Sequence, residues 1–283
     1  MSLPNLSLLG RLSARRPPAP PGLLETLARP GVHEQALTAL FDGRMRFEGT
    51  APEFDRPLVL VAFTNRSGSN LVCDYLRQAG RAGGAGEHLN HPVAAERQGS
   101  RPVDSLPAYL RALHAELAPQ GRSLALKASW DQMAMLLRGN IPAMFPRTVV
   151  LHCLRNDTLA QAVSYSIALR SGSWISRQPG AAVSAADIPG GEIERQMESF
   201  QRANLLIRLL CEAHGLPRRD VGYERLCTDN GAHLTQILLR EGLAAPGWRP
   251  GAAAIERQSG PLNAQLAGDF LAAARRAIGP GRA

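Results

Sequence analysis

From Pro57 onward, apolar runs of strand length alternate with stretches whose apolar positions recur every three to four residues. Pro57-Leu-Val-Leu-Val-Ala-Phe63 is continuously apolar, the pattern of a parallel strand buried on both faces. Helical spacing follows at Leu71, Val72, Tyr75, Leu76 and Ala79. A second strand is predicted over Ser123–Lys127, with a helix near Asp131–Arg138, and a third over Thr148–Leu154. Asp157 is placed to cap a helix carrying Leu159, Val163, Ile167 and Leu169. Further helices are predicted over Glu192–His214, Thr228–Glu241 and from Pro261 to Ile278, with a short strand over Asp220–Glu224. The alternation predicts one α/β domain over residues 56–283 with a mostly parallel central sheet. Residues 1–55 read as an N-terminal extension, helical or irregular, with a proline-rich linker at Arg15–Gly22 and a short helix around Leu23–Leu40.

Composition narrows the class. Hydrophobic residues make up 45% of the 283 and charged residues 20%, which suits a globular chain and excludes a disordered or fibrous one. No apolar run reaches the ~18–20 residues of a membrane span. Arg15 and Arg16 are followed by Pro-Pro-Ala-Pro-Pro rather than a signal core. The four cysteines form no Cys-x-x-Cys pair, so a reducing, cytoplasmic location is expected. Net charge is +8, carried by 31 arginines and a single lysine, Lys127. That balance favours anionic partners. The arginines are spread along the chain instead of forming one stripe, so nucleic acid is not the expected partner.

The candidate chemistry sits at strand ends. Thr64-Asn-Arg-Ser-Gly-Ser-Asn70 joins a buried strand directly to a helix. Its glycine and serines let backbone N–H groups converge at a helix N-terminus, where an anion is favoured, and Arg66 adds a charge-assisted contact. The bland alternative is a plain turn with a serine N-cap. The loop lacks the Gly-x-x-x-x-Gly-Lys-Ser/Thr signature, which counts against an ATP or GTP hydrolase. A second anion site is suggested by Arg155 at the end of the third strand and Ser164 about 10 Å up the following helix. Two separated anion sites suit a nucleotide bearing phosphate at both ends.

Together these residues resemble a family. Arg66-Ser-Gly-Ser69, Gly80-x-x-Gly83…Glu87, Lys127 with Trp130, Arg155-Asn-Asp…Gln161-Ala-Val-Ser164 and Ile255-Glu-Arg-Gln258 are similar to the sulfotransferases that use 3′-phosphoadenosine 5′-phosphosulfate (PAPS). The likeness is nearest to the bacterial Stf0-type enzymes, including trehalose and lipopolysaccharide sulfotransferases, and runs from about Leu58 to Asn263. It implies a P-loop-like three-layer fold and transfer of a sulfuryl group from PAPS, without a metal, to a hydroxyl of a carbohydrate, glycolipid or specialised metabolite. It also implies roles. Arg66, Ser67, Gly68, Ser69 and Asn70 would bind the 5′-phosphosulfate, Arg155 and Ser164 the 3′-phosphate, and Arg257 and Gln258 would close over the nucleotide. Glu87 would be the catalytic base, with Arg66 and Lys127 stabilising charge at the sulfuryl end. His88 and His91 are further candidates for base or substrate binding, and Trp130 and Trp174 for an acceptor wall. The segments Asn90–Pro107 and Ser171–Pro189 are polar enough to be substrate lids. His-Leu-Asn follows Glu87 where relatives place aromatics, and Gly84 lacks a second acid, so the resemblance does not extend to trehalose as acceptor. Some members pair, which allows a homodimer. The competing readings are a P-loop-like kinase or phosphotransferase and a non-catalytic anion-binding or nucleic-acid-binding protein.

Overall fold

A computed structural model describes residues 21–119, 121–174, 180–254 and 260–279. In chain order the main elements are α1 (Leu23–Ala28), α2 (Val32–Leu40), β1 (Leu58–Phe63), α3 (Ser69–Ala79), β2 (Ala82–Gly86), α4 (His91–Ser100), α5 (Leu106–Leu117) and β3 (Ser123–Ala128). They continue with α6 (Trp130–Arg138), β4 (Thr148–Leu154), α7 (Thr158–Ser171), α8 (Gly190–Ala213), β5 (Arg218–Gly222), α9 (Tyr223–Thr228), α10 (Ala232–Arg240) and α11 (Pro261–Ile278). The five strands form one sheet in the order β2-β3-β1-β4-β5, and every neighbouring pair is parallel.

β1 is central and buried along its whole length, as its unbroken apolar run requires. Its side chains alternate between two cores. Leu58 and Leu60 join Leu124, Leu126 and residues of α5 and α6 on one face. Val59 and Val61 join Val72, Leu76, Leu234 and Leu238, from α3 and α10, on the other. The result is a three-layer α/β fold with helices on both sides of a parallel sheet. The segment before β1 adds to the first core, where Leu37, Phe41 and Phe47 are buried. Among the described residues no helix is long and apolar enough to cross a membrane.

Several local expectations need correction. The helix predicted around Leu23–Leu40 is two helices, interrupted at Pro30-Gly31, since proline lacks the amide a continuous helix needs. The one predicted over Thr228–Glu241 begins only at Ala232, because Asn230 and Gly231 before it take φ of 48° and 76°, and Thr228 instead ends the preceding helix α9. The last strand is Arg218–Gly222, displaced toward the N-terminus, so Tyr223 and Glu224 open a helix. Much of the supposed lid at Asn90–Pro107 is α4, which packs on α2. One strand was concealed by a stretch without a single β-branched residue. This is β2, Ala-Gly-Gly-Ala-Gly, where a Cβ on Gly83 would lie 1.7 Å from the Leu117 carbonyl oxygen.

A candidate active site at the carboxyl edge of the sheet

The turn after β1 is built for close approach. Arg66 has φ of 63° and Gly68 of 86°, and Gly68 is the N-cap of α3. A Cβ on Gly68 would lie 2.5 Å from Cδ2 of Tyr223, so the loop packs directly on the first residue of α9. Ser67 and Ser69 are buried, and the Ser67 hydroxyl has no hydrogen-bond partner. The turn is clamped by Gln161 of α7, whose Nε2 donates to Thr64 Oγ1 (2.8 Å) and to the Asn65 carbonyl (2.7 Å).

The two anion sites, expected from the sequence to be separated, instead adjoin, because Arg66 reaches across to α7. Arg66 Nε donates to Ser164 Oγ (2.9 Å), and Arg66 Nη1 to the Trp174 carbonyl (2.7 Å). Arg155 Nη1 donates to the Arg66 carbonyl (3.2 Å), while its guanidinium carbon lies 4.9 Å from the centre of the Tyr223 ring, within cation–π range. Burial and the neighbouring Arg155 charge lower the Arg66 pKa. Asp157 caps α7 as predicted, accepting from the Ala160 amide at 2.9 Å. Glu224 accepts from the amides of Asn156 and Asp157, tying the end of β4 to α9. Sequence reasoning missed Tyr223 and Glu224 because it assigned both to a strand. Gln161 was visible within its motif, but nothing in the sequence showed that its amide would reach the loop.

On the other side of β1, Lys127 lies in β3 itself with only 4% of its surface exposed. Its Nζ donates to Asn70 Oδ1 (2.8 Å) and Glu87 Oε1 (2.6 Å) and sits 4.3 Å from the centre of the Phe63 ring. Glu87 follows β2 and also accepts from Asn90 Nδ2 at 2.7 Å. Asn90 in turn accepts from Gln132 Nε2 (2.8 Å). Burial pushes the Glu87 carboxyl up, but the Lys127 ammonium and the hydrogen bonds from Lys127 and Asn90 outweigh it and hold the pKa below the ordinary value.

Two cavities meet at Glu87. The larger, about 1010 Å³, is lined by Arg66, Arg155, Lys127 and Ser164, with walls from Tyr223 and Trp174. Glu87 is the one carboxylate among the described residues that line it. The smaller, about 250 Å³, has Glu87, Asn65, Asn90 and Phe63 in common with it and is otherwise lined by residues such as Trp130, Gln132 and Tyr165, with no lysine or arginine among the described residues. The predicted histidines fall elsewhere. His88 is turned back, its Nε2 3.2 Å from the Gly84 carbonyl oxygen, and lines neither cavity. His91 also lines neither and contacts His33 of α2, with the two Nδ1 atoms 3.2 Å apart. Arg257 and Gln258 lie outside the described residues. Among the described residues no group of three or more His, Cys, Asp or Glu is placed to hold a metal ion.

No family model matches the chain, and no curated protein matches it. Several solved structures are similar. One is a sulfotransferase from Alicyclobacillus acidocaldarius, at 15% identity and a TM-score of 0.48, covering 77% of this chain and 92% of that one. Another is the sulfotransferase domain of the Synechococcus PCC 7002 olefin synthase, at 15% identity and a TM-score of 0.48, covering 80% of this chain and 98% of that one.

Proposed function

We propose that this chain transfers a sulfuryl group from PAPS to a hydroxyl of a small carbohydrate, glycolipid or specialised metabolite. The observation that carries the reading is the ion pair of buried Lys127 with the more exposed Glu87, whose carboxylate lines both a cavity with three cations and one with no lysine or arginine among the described residues. A polyanionic donor belongs in the first and an acceptor in the second, with a carboxylate facing both.

The residues fit such a donor. Ser67 Oγ and Arg155 Nε are buried polar atoms without partners; Arg155 lines the larger cavity, and Ser67 lies in the loop whose neighbouring residues Arg66, Gly68 and Ser69 line it. The Arg66–Asn70 loop would hold the 5′ end, Arg155 and Ser164 the 3′-phosphate, and Tyr223, Leu226 and Asn230 the base. When bound, the donor supplies an activated sulfuryl group and a bisphosphate leaving group. The chain's own part is alignment, proton transfer and charge stabilisation. Glu87, kept ionised by Lys127, receives the proton of the acceptor hydroxyl, a contribution of ~10²- to 10⁴-fold. As the carboxylate is neutralised, Lys127 loses its counter-charge and its ammonium is left to act on the anionic side, together with Arg66.

Calorimetry tests the donor half. 3′-Phosphoadenosine 5′-phosphate is expected to bind more tightly than AMP or ATP, and equal or absent binding overturns the assignment. Arg155→Ala is expected to erase the preference for the 3′-phosphate. Glu87→Gln tests the base: transfer is expected to fall by ~10²- to 10⁴-fold with nucleotide affinity nearly unchanged. Near-normal transfer in that variant removes Glu87 from the role.

A further inference from the structure

We propose that the 250 Å³ cavity is a subsite for one uncharged polyhydroxylated ring, and that His33, carried in by α2, donates a hydrogen bond to it. This rests on the proposed function for what lies on the donor side, but its evidence is the second cavity alone.

The volume falls below the ~300–1,000 Å³ of sites that take drug-sized ligands, so it suits a single ring. The polar part of its lining is neutral apart from Glu87. Asn90, Gln132, Gln196, Ser129 and Ser199 carry amides and hydroxyls, groups that both donate and accept as sugar hydroxyls do. Their orientation is partly fixed in advance, since Gln132 accepts from the Ser129 amide (3.0 Å) and donates to Asn90. Among the described residues an anion finds no lysine or arginine here and meets the Glu87 carboxylate. A purely apolar ring would offer no hydrogen bonds to the Gln196 and Ser199 side chains that line the cavity. Trp130, Tyr165 and Phe200 supply flat apolar faces for the C–H side of a sugar.

His33 completes the wall. Its Nδ1 accepts from the His91 backbone N–H at 3.1 Å, so that nitrogen carries the lone pair and the proton of the neutral ring sits on Nε2. Burial lowers the His33 pKa, with His91 acting the same way and Asp131 and Glu87 opposing, a direction that agrees with an Nδ1 accepting from the His91 amide. Nε2–H is then the ring's remaining donor, on a residue that lines the cavity.

Saturation-transfer NMR on the full chain, with and without 3′-phosphoadenosine 5′-phosphate, tests this with three probes: methyl α-D-glucopyranoside, glucuronate and 2-naphthol. The glucoside is expected to bind best, to weaken about fivefold in His33→Ala, the worth of one neutral hydrogen bond, and to recover in His33→Gln. Gln196→Ala on α8 is expected to weaken it as well, and unchanged nucleotide affinity in each variant shows that the fold survives. Tighter binding of glucuronate or naphthol, or no glucoside binding to protein that binds the nucleotide, overturns the proposal. So does a His33→Ala variant that binds the glucoside normally. Glucoside binding to a chain that ignores the nucleotide supports the subsite and removes the PAPS reading instead.

Discussion

Gly68→Ala probes the one place where the loop after β1 and the start of α9 have no room to spare. The added methyl carries two penalties. At φ of 86° the residue occupies the left-handed region, which costs a residue with a Cβ roughly 1–2 kcal/mol. The new Cβ would also sit 2.5 Å from Tyr223 Cδ2, where carbon atoms normally stay ~3.5–4.0 Å apart. The ring must therefore move by about 1 Å, and overpacking of this kind costs ~1–3 kcal/mol. The total is about 2–5 kcal/mol, or a fall in Tm of roughly 4–10 °C at about 2 °C per kcal/mol. Tyr223→Ala removes the ring, so Gly68→Ala in that background should retain only the backbone penalty. Urea unfolding of the four proteins is expected to give a coupling of ~1–3 kcal/mol, the double variant being less damaged than the sum of its parts. Single effects that add within ~0.5 kcal/mol would refute the contact. Because Arg155 lies over the same ring, Gly68→Ala should also weaken binding of 3′-phosphoadenosine 5′-phosphate.

Three further outcomes are expected. Cys227 is exposed and lines the larger cavity, whereas Cys73, Cys153 and Cys211 are buried, with the Cys73 and Cys211 thiols pushed up to about 11 by burial; iodoacetamide should modify Cys227 first, and 3′-phosphoadenosine 5′-phosphate should slow it, as followed by peptide mass. Asn90→Ala removes a hydrogen bond that helps to hold the Glu87 pKa down, so the acid limb of the transfer rate should move to higher pH; an unmoved limb would separate the limb from Glu87. Glu241 is buried between Arg147 (2.6 Å) and Arg219 (2.7 Å), and Glu241→Gln should cost about 2 kcal/mol, less than the ~3–5 of a fully buried pair because both arginines are partly solvated. Burial raises the Glu241 pKa, and the two arginines lower it further than that, so its contribution is full above the ordinary carboxylate pKa and lost as pH falls through the lowered one. The stability gap between the two proteins should close in acid.

The parts of the fold that the sequence disclosed are those where burial dictates composition. β1, β3 and β4 are apolar because both faces are covered, and the start of α7 was readable because Asp157 is a strong cap. β2 was hidden because its glycines answer to a different demand, the approach of the Leu117 carbonyl, and carry no strand propensity. The loop residues Arg66–Asn70 and Lys127 were marked as strand-end chemistry and Glu87 only by the family resemblance, and their mutual arrangement was not legible. Nothing in the spacing of Arg66 and Ser164, 98 residues apart, states that they share a hydrogen bond. His33 went unnoticed since it belongs to a segment that looked like an extension, and a lone histidine in a short helix carries no signal of its own. His88 looked equivalent to Glu87 in sequence, but the turn after β2 points the two side chains apart.

The strand order has a metrological side. Parallel neighbours lie about 4.8 Å apart, so each functional group hangs from an anchor at a fixed division of one scale. Taking the Arg66 loop on β1 as zero, Lys127 is one division to one side and Arg155 one to the other, while Glu87 and Tyr223 mark the second division on each side. Four divisions make a gauge of about 19 Å from end to end. Changing a side chain alters how far a group reaches but leaves its anchor where it was. The length of ligand that can be gripped at both ends is therefore written in the backbone hydrogen bonds of the sheet, and it would outlast a complete redesign of the cavity walls.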